Sequence, residues 1–322
     1  MNRPRLLLTR RWPEPVESYL RTRYDVTFNE RDKPMSADAL RAAARSCEVL
    51  CPTVSDRLDA TVFDPTDCRV RLVCNYGAGF EHIDLAACAA GGIVVTNTPD
   101  VLTEATAELA ILLMLMIARR AGEGERELRS NRWSGWRPTH LLGTQLSGKT
   151  LGLVGFGRIA QATASKAAAG FGMTILYHSR RPTELATHAT YRPDLDQLLE
   201  ESDFVSLHCP GGPATENLID AQRLARMKHS AFLINTARGS VIDERALVQA
   251  LRERTIAGAA LDVFNNEPNI REELKGLDNI VLLPHLGSAT HETRVAMGMR
   301  AVTNFEHWLA GREPPDRVRL EG

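Results

Sequence analysis

Thr150-Leu-Gly-Leu-Val-Gly-Phe-Gly-Arg-Ile-Ala160 decides the fold. A mostly apolar strand runs into Gly155-x-Gly157-x-x-Ala160, and an alanine-rich stretch follows. Each small residue has its own use there. Gly155 permits a tight turn, Gly157 lets the backbone approach a pyrophosphate, and Ala160 allows close helix–strand packing. The start of the helix offers unpaired N–H groups and a positive dipole end to phosphates. The pattern alone is common; its position between strand and helix makes it specific.

Strand-like apolar runs follow at residues 174–178, 204–208, 231–236, 257–263 and 280–283, and others precede it at 5–9, 24–28, 49–53, 71–76 and 93–97. Helical stretches lie between them, beginning at Pro13 and spanning 37–44 and 84–90 in the first half. Repeated β-then-α implies parallel sheets with helices on both faces, an α/β fold in two series. A long helix is expected from near Leu102 past Ala118, with Thr103 and Thr106 at its cap or first turn. Its middle is apolar all round and is expected to be buried between domains or subunits. A last helix, about 290–309, follows the final strand and is expected to return to the first domain. The expected domains are therefore a discontinuous one, 1–100 with 288–322, and a dinucleotide-binding one, 101–287.

The 322 residues suffice for two domains. With 43% hydrophobic and 25% charged residues and a net charge of −1, nothing favours nucleic acid or an anionic membrane. Cys47 and Cys51 form a C-x3-C with no second pair, so no zinc spacing and no metal is expected, and the thiols read as reduced in a cytoplasmic protein. The apolar run 109–118 is too short to cross a bilayer, and the three leucines near the N-terminus are too few for a signal segment.

Nucleotide choice turns on the end of the strand after the glycine turn. NAD binders usually carry an acid about 20 residues on, for the ribose 2′-hydroxyl. Here the sequence is Tyr177-His-Ser-Arg-Arg-Pro182, with no acid before Glu184. Ser179 can donate to a 2′-phosphate, and Arg180, with Arg181, can pair with its charge. NADP(H) is expected over NAD(H).

Three residues complete a parts list for hydride chemistry on a 2-oxo acid. Arg238, in Asn235-Thr-Ala-Arg-Gly239, ends an apolar run where sheet ligands bind; its planar fork suits a carboxylate. His285, in Pro284-His-Leu-Gly-Ser288, follows another strand end and is the candidate acid–base. A lone histidine is more often structural, but Glu267, in Asn266-Glu-Pro268, can fix its tautomer and stabilise the protonated ring. In Asn75-Tyr-Gly-Ala-Gly-Phe-Glu-His-Ile-Asp84, consecutive N–H groups around Gly77–Gly79 can cradle a carboxylate.

On these motifs, with His208-Cys-Pro210, the chain resembles the D-isomer-specific 2-hydroxyacid dehydrogenase family over nearly its whole length, and within it the NADPH-preferring glyoxylate/hydroxypyruvate reductases. The resemblance implies two Rossmann/flavodoxin-like domains with the active site in the cleft, and a homodimer. It makes Arg238 the substrate binder, Glu267 the residue that tunes His285, and His285 the proton donor in reduction. It gives the substrate carboxylate to the backbone of Tyr76, Gly77, Ala78 and Gly79. It lines the cofactor with Thr106, Gly155, Phe156, Gly157, Arg158, Ile159, Ser179, Arg180, Cys209, Thr215, Thr236, Ala237, Asp262, His285 and Gly287, Asp262 facing the carboxamide. Two departures stand out: Ala160 where many members have Gly, and Pro210-Gly-Gly-Pro213 in place of a leucine-and-polar stretch. Alternatives are another 2-hydroxyacid, formate or phosphite oxidation, and a non-catalytic nucleotide-sensing protein, which would need no intact Arg–Glu–His set.

Overall fold

The computed structural model describes residues 4–183 and 188–319, so Glu184 lies outside the described residues. The chain divides into two compact units, Met1–Leu102 with Ala289–Gly322, and Thr103–Ser288. The first runs β1 (Arg5–Leu8), α1 (Glu14–Arg23), β2 (Asp25–Phe28), α2 (Ala37–Ser46), β3 (Val49–Cys51), β4 (Leu72–Cys74), α3 (Leu85–Ala90) and β5 (Val94–Thr96). The second runs α4 (Thr103–Ala118), α5 (Ala121–Arg129), β6 (Thr150–Val154), α6 (Arg158–Phe171), β7 (Thr174–His178), β8 (Thr190–Tyr191), α7 (Leu195–Glu201), β9 (Phe204–Leu207), α8 (Ala221–Arg226), β10 (Phe232–Asn235), α9 (Glu244–Arg252), β11 (Gly258–Leu261), α10 (Glu272–Lys275) and β12 (Ile280–Leu282). The last helix, α11 (His291–Leu309), belongs to the first unit.

Both sheets are parallel, and their strands are apolar because helices cover both faces. The second sheet has the order β12-β11-β10-β9-β6-β7-β8, so the chain turns back between β6 and β9. That is the doubly wound dinucleotide order, with its ligand crevice outside the carboxyl ends of the two strands at the reversal. Alternate residues of β10 serve opposite faces: Leu233 packs with Leu198, Leu224 and Leu247, whereas Phe232 and Ile234 pack with Leu113, Met114 and Ala164. The first sheet has the order β2-β1-β3-β4-β5. Leu6, Leu8 and Leu72 bury against Val16 of α1 and Met297, Ala301 and Phe305 of α11; Leu50, Val73 and Val95 face α2 and α3.

The helix expected to run past Ala118 stops there. Arg120 takes a left-handed φ of 52°, and α5 starts afresh. The cause is a crossing segment. Thr144 N–H caps the Ala118 carbonyl at 2.8 Å, and a Cβ on Gly143 would sit 2.3 Å from that oxygen. Within the single chain, Leu113 and Met114 of α4 are fully covered and Leu112 is 45% exposed. No helix among the described residues is long and apolar enough to cross a membrane.

Two helix glycines make opposite predictions. A Cβ on Gly298 of α11 would meet Val16 at 2.8 and 2.9 Å, and β-branched Val16 has little rotamer freedom to yield. Gly170 of α6 has nothing within 4 Å. In urea unfolding, Gly170→Ala should stabilise by up to ~1 kcal/mol. Gly298→Ala should destabilise by about 1–2 kcal/mol, overpacking outweighing helix propensity; a stabilised Gly298→Ala would contradict this packing.

Candidate active site

The glycine turn lies at the strand reversal. Gly155 has φ +88°, and a Cβ there would press within 2.7 Å of Cys209 N and 2.8 Å of the His208 carbonyl carbon. Gly155 N–H donates to the His178 carbonyl (2.8 Å) and His208 N–H to the Val154 carbonyl (2.7 Å), so the ends of β6, β7 and β9 meet here. Gly157 caps α6 and Ala160 is fully buried beneath it. Phe156 turns inward, its ring 4.1 Å from that of Tyr177, so what it offers a ligand is backbone. Gly157 and Arg158 are exposed and Ile159 half-buried.

These residues fit a dinucleotide on two observations. Nothing lies within 4 Å of where a Gly157 side chain would stand, leaving the backbone open to approach. At the end of β10, the buried Thr236 hydroxyl has no hydrogen-bond partner among the described residues. At the end of β7, Ser179 Oγ donates to the Arg181 carbonyl at 2.5 Å, and Arg180 and Arg181 are exposed. Cys209 is buried, which pushes its thiol up to about 11. Thr215 Oγ1 ties the loop together by donating to the Pro210 carbonyl at 2.6 Å, and Gly212 of the Pro210-Gly-Gly-Pro213 segment has φ +116°.

Arg238, Glu267 and His285 arise from three successive strand ends, those of β10, β11 and β12. His285 Nδ1 and Glu267 Oε2 are 2.7 Å apart, so Nε2 is the ring nitrogen not engaged by this pair. Burial works against the Glu267 charge. The bond to His285, the imidazolium charge, the Phe264 N–H (2.9 Å to Oε1) and the Arg238 charge outweigh it and hold the carboxyl below its ordinary value. His208 has no carboxylate: its Nε2 lies 2.9 Å from Ser206 Oγ, and burial pushes it down to about 4, a neutral ring at pH 7.

The supporting groups are less visible in sequence. Asn235 shapes the Arg238 loop: its Nδ2 donates to the Arg238 carbonyl (2.8 Å) and its Oδ1 accepts from Ala237 N–H (2.9 Å). A Cβ on Gly239 would overlap the backbone of Phe264 and Asn265 at 2.0–2.3 Å, so the loops carrying Arg238 and Glu267 touch main chain to main chain. Buried Glu244 accepts from Asn265 N–H at 2.7 Å and pairs with Arg271 at 3.3 Å, bracing the Glu267 turn. Asp262, 1% exposed, grips the histidine loop: Oδ1 accepts from Leu286 N–H (2.6 Å) and Oδ2 from Gly287 N–H (2.8 Å). Burial raises the Asp262 carboxyl above its ordinary value against the pull of those N–H groups and of His285. Thr106 Oγ1 donates to the Gly287 carbonyl at 3.1 Å, joining α4 to the same loop.

In the first unit, Tyr76 N–H is committed to the Pro52 carbonyl (2.9 Å) and its hydroxyl to the Arg294 carbonyl (2.6 Å). Tyr76 therefore has no N–H to offer a carboxylate. The carbonyls that follow are all occupied: Gly77 by Thr98 N–H and Asn75 Nδ2, Ala78 by Asn97 Nδ2, Gly79 by Asn75 Nδ2. No hydrogen bond from the N–H of Gly77, Ala78, Gly79 or Phe80 occurs among the described residues.

Residues 111–287 match the family described as D-isomer specific 2-hydroxyacid dehydrogenase, NAD binding domain. A glyoxylate reductase of Thermococcus onnurineus is 44% identical over 326 residues, covering 99% of this chain and 97% of the relative. Among solved structures, a putative D-isomer specific 2-hydroxyacid dehydrogenase from Polaromonas superposes with a TM-score of 0.92 at 39% identity, over 99% of this chain and all of that one. An NADPH-dependent glyoxylate/hydroxypyruvate reductase from Sinorhizobium meliloti, in complex with NADP and malonate, gives 0.86 at 38%, over 98% of this chain and 97% of that one. With the reversed parallel sheet, the glycine turn and these likenesses over almost its full length, the chain belongs to the D-isomer specific 2-hydroxyacid dehydrogenases, NAD(P)-dependent oxidoreductases.

Proposed function

We propose that this enzyme reduces small 2-oxo acids, glyoxylate and hydroxypyruvate among them, to 2-hydroxy acids, with NADPH preferred over NADH. The observation that carries the reading is the 2.7 Å bond between His285 Nδ1 and Glu267 Oε2 in a family of hydride-transfer enzymes. A protonated imidazole at a strand end, stabilised by a carboxylate on one nitrogen, donates from the other to a carbonyl oxygen. Arg238 presents its fork to the substrate carboxylate, and the N–H groups of Gly77, Ala78, Gly79 and Phe80 form the carboxylate cradle of the first unit. When bound, the reduced nicotinamide supplies the hydride to the carbonyl carbon. The backbone of Gly155, Phe156, Gly157, Arg158 and Ile159 holds its pyrophosphate at the start of α6. Thr106, Cys209, Thr215, Thr236, Ala237, Asp262 and Gly287 line its remainder. Arg180 pairs with the 2′-phosphate; turning the Ser179 hydroxyl away from the Arg181 carbonyl adds a donor. The likeness to the NADPH-dependent reductase of Sinorhizobium meliloti supports that choice, as does the absence of an acid in residues 177–182. The chain acts as a homodimer in this reading, as the family resemblance implies.

The test is a rate panel: glyoxylate, hydroxypyruvate, pyruvate and bulkier 2-oxo acids, each with NADPH and with NADH. Fast turnover of the small acids with NADPH supports the proposal; NADPH binding without turnover of any acid overturns it. Three variants probe the assigned roles. His285→Ala should cut kcat by about 10²–10⁴ while NADPH binding stays near wild type; equal losses in both would remove the acid–base role. Glu267→Gln keeps the shape but not the charge. Reduction should lose kcat while NADPH binding stays near wild type, because the imidazole loses the carboxylate that orients it; an unchanged kcat would contradict the pairing. Arg180→Ala should weaken NADPH about tenfold or more and leave NADH nearly unchanged; an unaltered ratio would refute the phosphate contact.

A further inference from the structure

The carbonyls of Gly77, Ala78 and Gly79 determine where the loop's N–H groups point. A trans peptide is planar, and its C=O and N–H face opposite ways. Each held carbonyl therefore turns the N–H of the next residue, Ala78, Gly79 or Phe80, away from the side chain that holds it. Asn75 Nδ2 holds two of the carbonyls, at 3.1 and 2.8 Å, and is oriented by His82 Nε2 on its Oδ1 at 3.1 Å. Asn97 Nδ2 holds the middle one at 2.7 Å.

Asn97 is itself held from the far end of the chain. Its carbonyl accepts from Asn304 Nδ2 of α11 (3.1 Å), and its N–H donates to the Asp316 carbonyl (3.3 Å). Asn304, fully buried, spends Nδ2 also on Asp316 Oδ2 (3.0 Å) and takes Asp316 N–H on Oδ1 (3.0 Å). Arg300 forks onto the same carboxylate, Nε to Oδ2 at 2.5 Å and Nη2 to Oδ1 at 2.6 Å. Arg317 bridges antiparallel to Thr96, and Val318 N–H donates to the Val95 carbonyl at 2.8 Å, so the tail runs as a strap along β5. A strap needed only to cover a sheet edge is satisfied by backbone pairing. A buried carboxylate at its centre, coordinated by Arg300 and Asn304, is costly unless every partner is in place.

We propose that Asp316 is a positioning residue for substrate: through Asn304 and Asn97 it sets the Ala78 carbonyl and thereby aims the Gly79 N–H at the 2-oxo acid's carboxylate. This rests on the carboxylate-cradle reading given above. It makes the C-terminal strap part of the substrate site without any of its side chains touching substrate.

The test is steady-state kinetics on the full chain with glyoxylate, with oxalate as a competitive carboxylate probe. Asp316→Asn keeps the shape, but its NH₂ must face a donor, either Arg300 or Asn304. The KM for glyoxylate and the Ki for oxalate should rise together by about fivefold or more, with kcat within about twofold and NADPH binding unchanged. Arg300→Lys, which keeps the charge and loses the fork, should move both in the same direction by less. A variant that loses thermal stability but keeps wild-type KM and Ki overturns the proposal and leaves the strap a structural element. Wild-type enzyme that turns over no 2-oxo acid overturns the functional reading itself, and this inference with it.

Discussion

A parallel sheet covered by helices on both faces leaves one place for polar chemistry, the carboxyl ends of its strands. Most of the residues given a role in the proposed reaction obey that constraint. Gly155 follows β6, Ser179 follows β7, Cys209 lies just beyond β9, Arg238 beyond β10, Asp262 directly after β11 and His285 beyond β12. In the first unit the same holds for Asn75 after β4 and Asn97 after β5. The strands are interchangeable apolar supports; their order decides which ends are neighbours.

Strand ends alone do not give a rigid site, and the protein stiffens them with buried polar side chains that hold main chain. Asp262 takes two N–H groups of the histidine loop, Asn235 closes the arginine loop, and Glu244 braces the turn before Glu267. Each costs desolvation and is stable only because its partners are complete. The opposed effects on the two acids follow from this division. Glu267, half-exposed and paired with an imidazole, is held below the ordinary carboxylate value; Asp262, enclosed and bonded to neutral N–H groups, is lifted above it. The first keeps its charge beside an imidazole, and the second holds main chain.

Much of this was legible in the sequence. Apolar runs punctuated by glycine mark the strands, and the Gly155 turn marks the dinucleotide sheet, because these patterns arise from local sterics and burial. The pairing of Glu267 with His285 was legible as chemistry, two residue types that need each other. What was not legible depended on distant chain. Residues 119 and 120 are arginines, good helix formers, and α4 ends there because Thr144 and Gly143 cross its last turn. The two-residue β8 carries no periodic signal at all. Glu244 reads as an ordinary acid at a helix start, and only a turn 21 residues away reveals its second use. Tyr76 looked like part of the carboxylate cradle, but its N–H was already taken by the strand-end bridge to Pro52.

The contact at Gly239 has a wider consequence. Main chain against main chain is the least compressible junction a protein has, since no rotamer can turn aside to relieve it. The segments bearing Arg238 and Glu267 are therefore one rigid piece, and neither can drift to admit a larger substrate without carrying the other along. Diversification of such an enzyme toward new acids must then proceed by exchanging side chains around a frozen frame rather than by reshaping these two loops. A lineage that inherits this glycine inherits the backbone spacing between the two loops as a fixed unit of length.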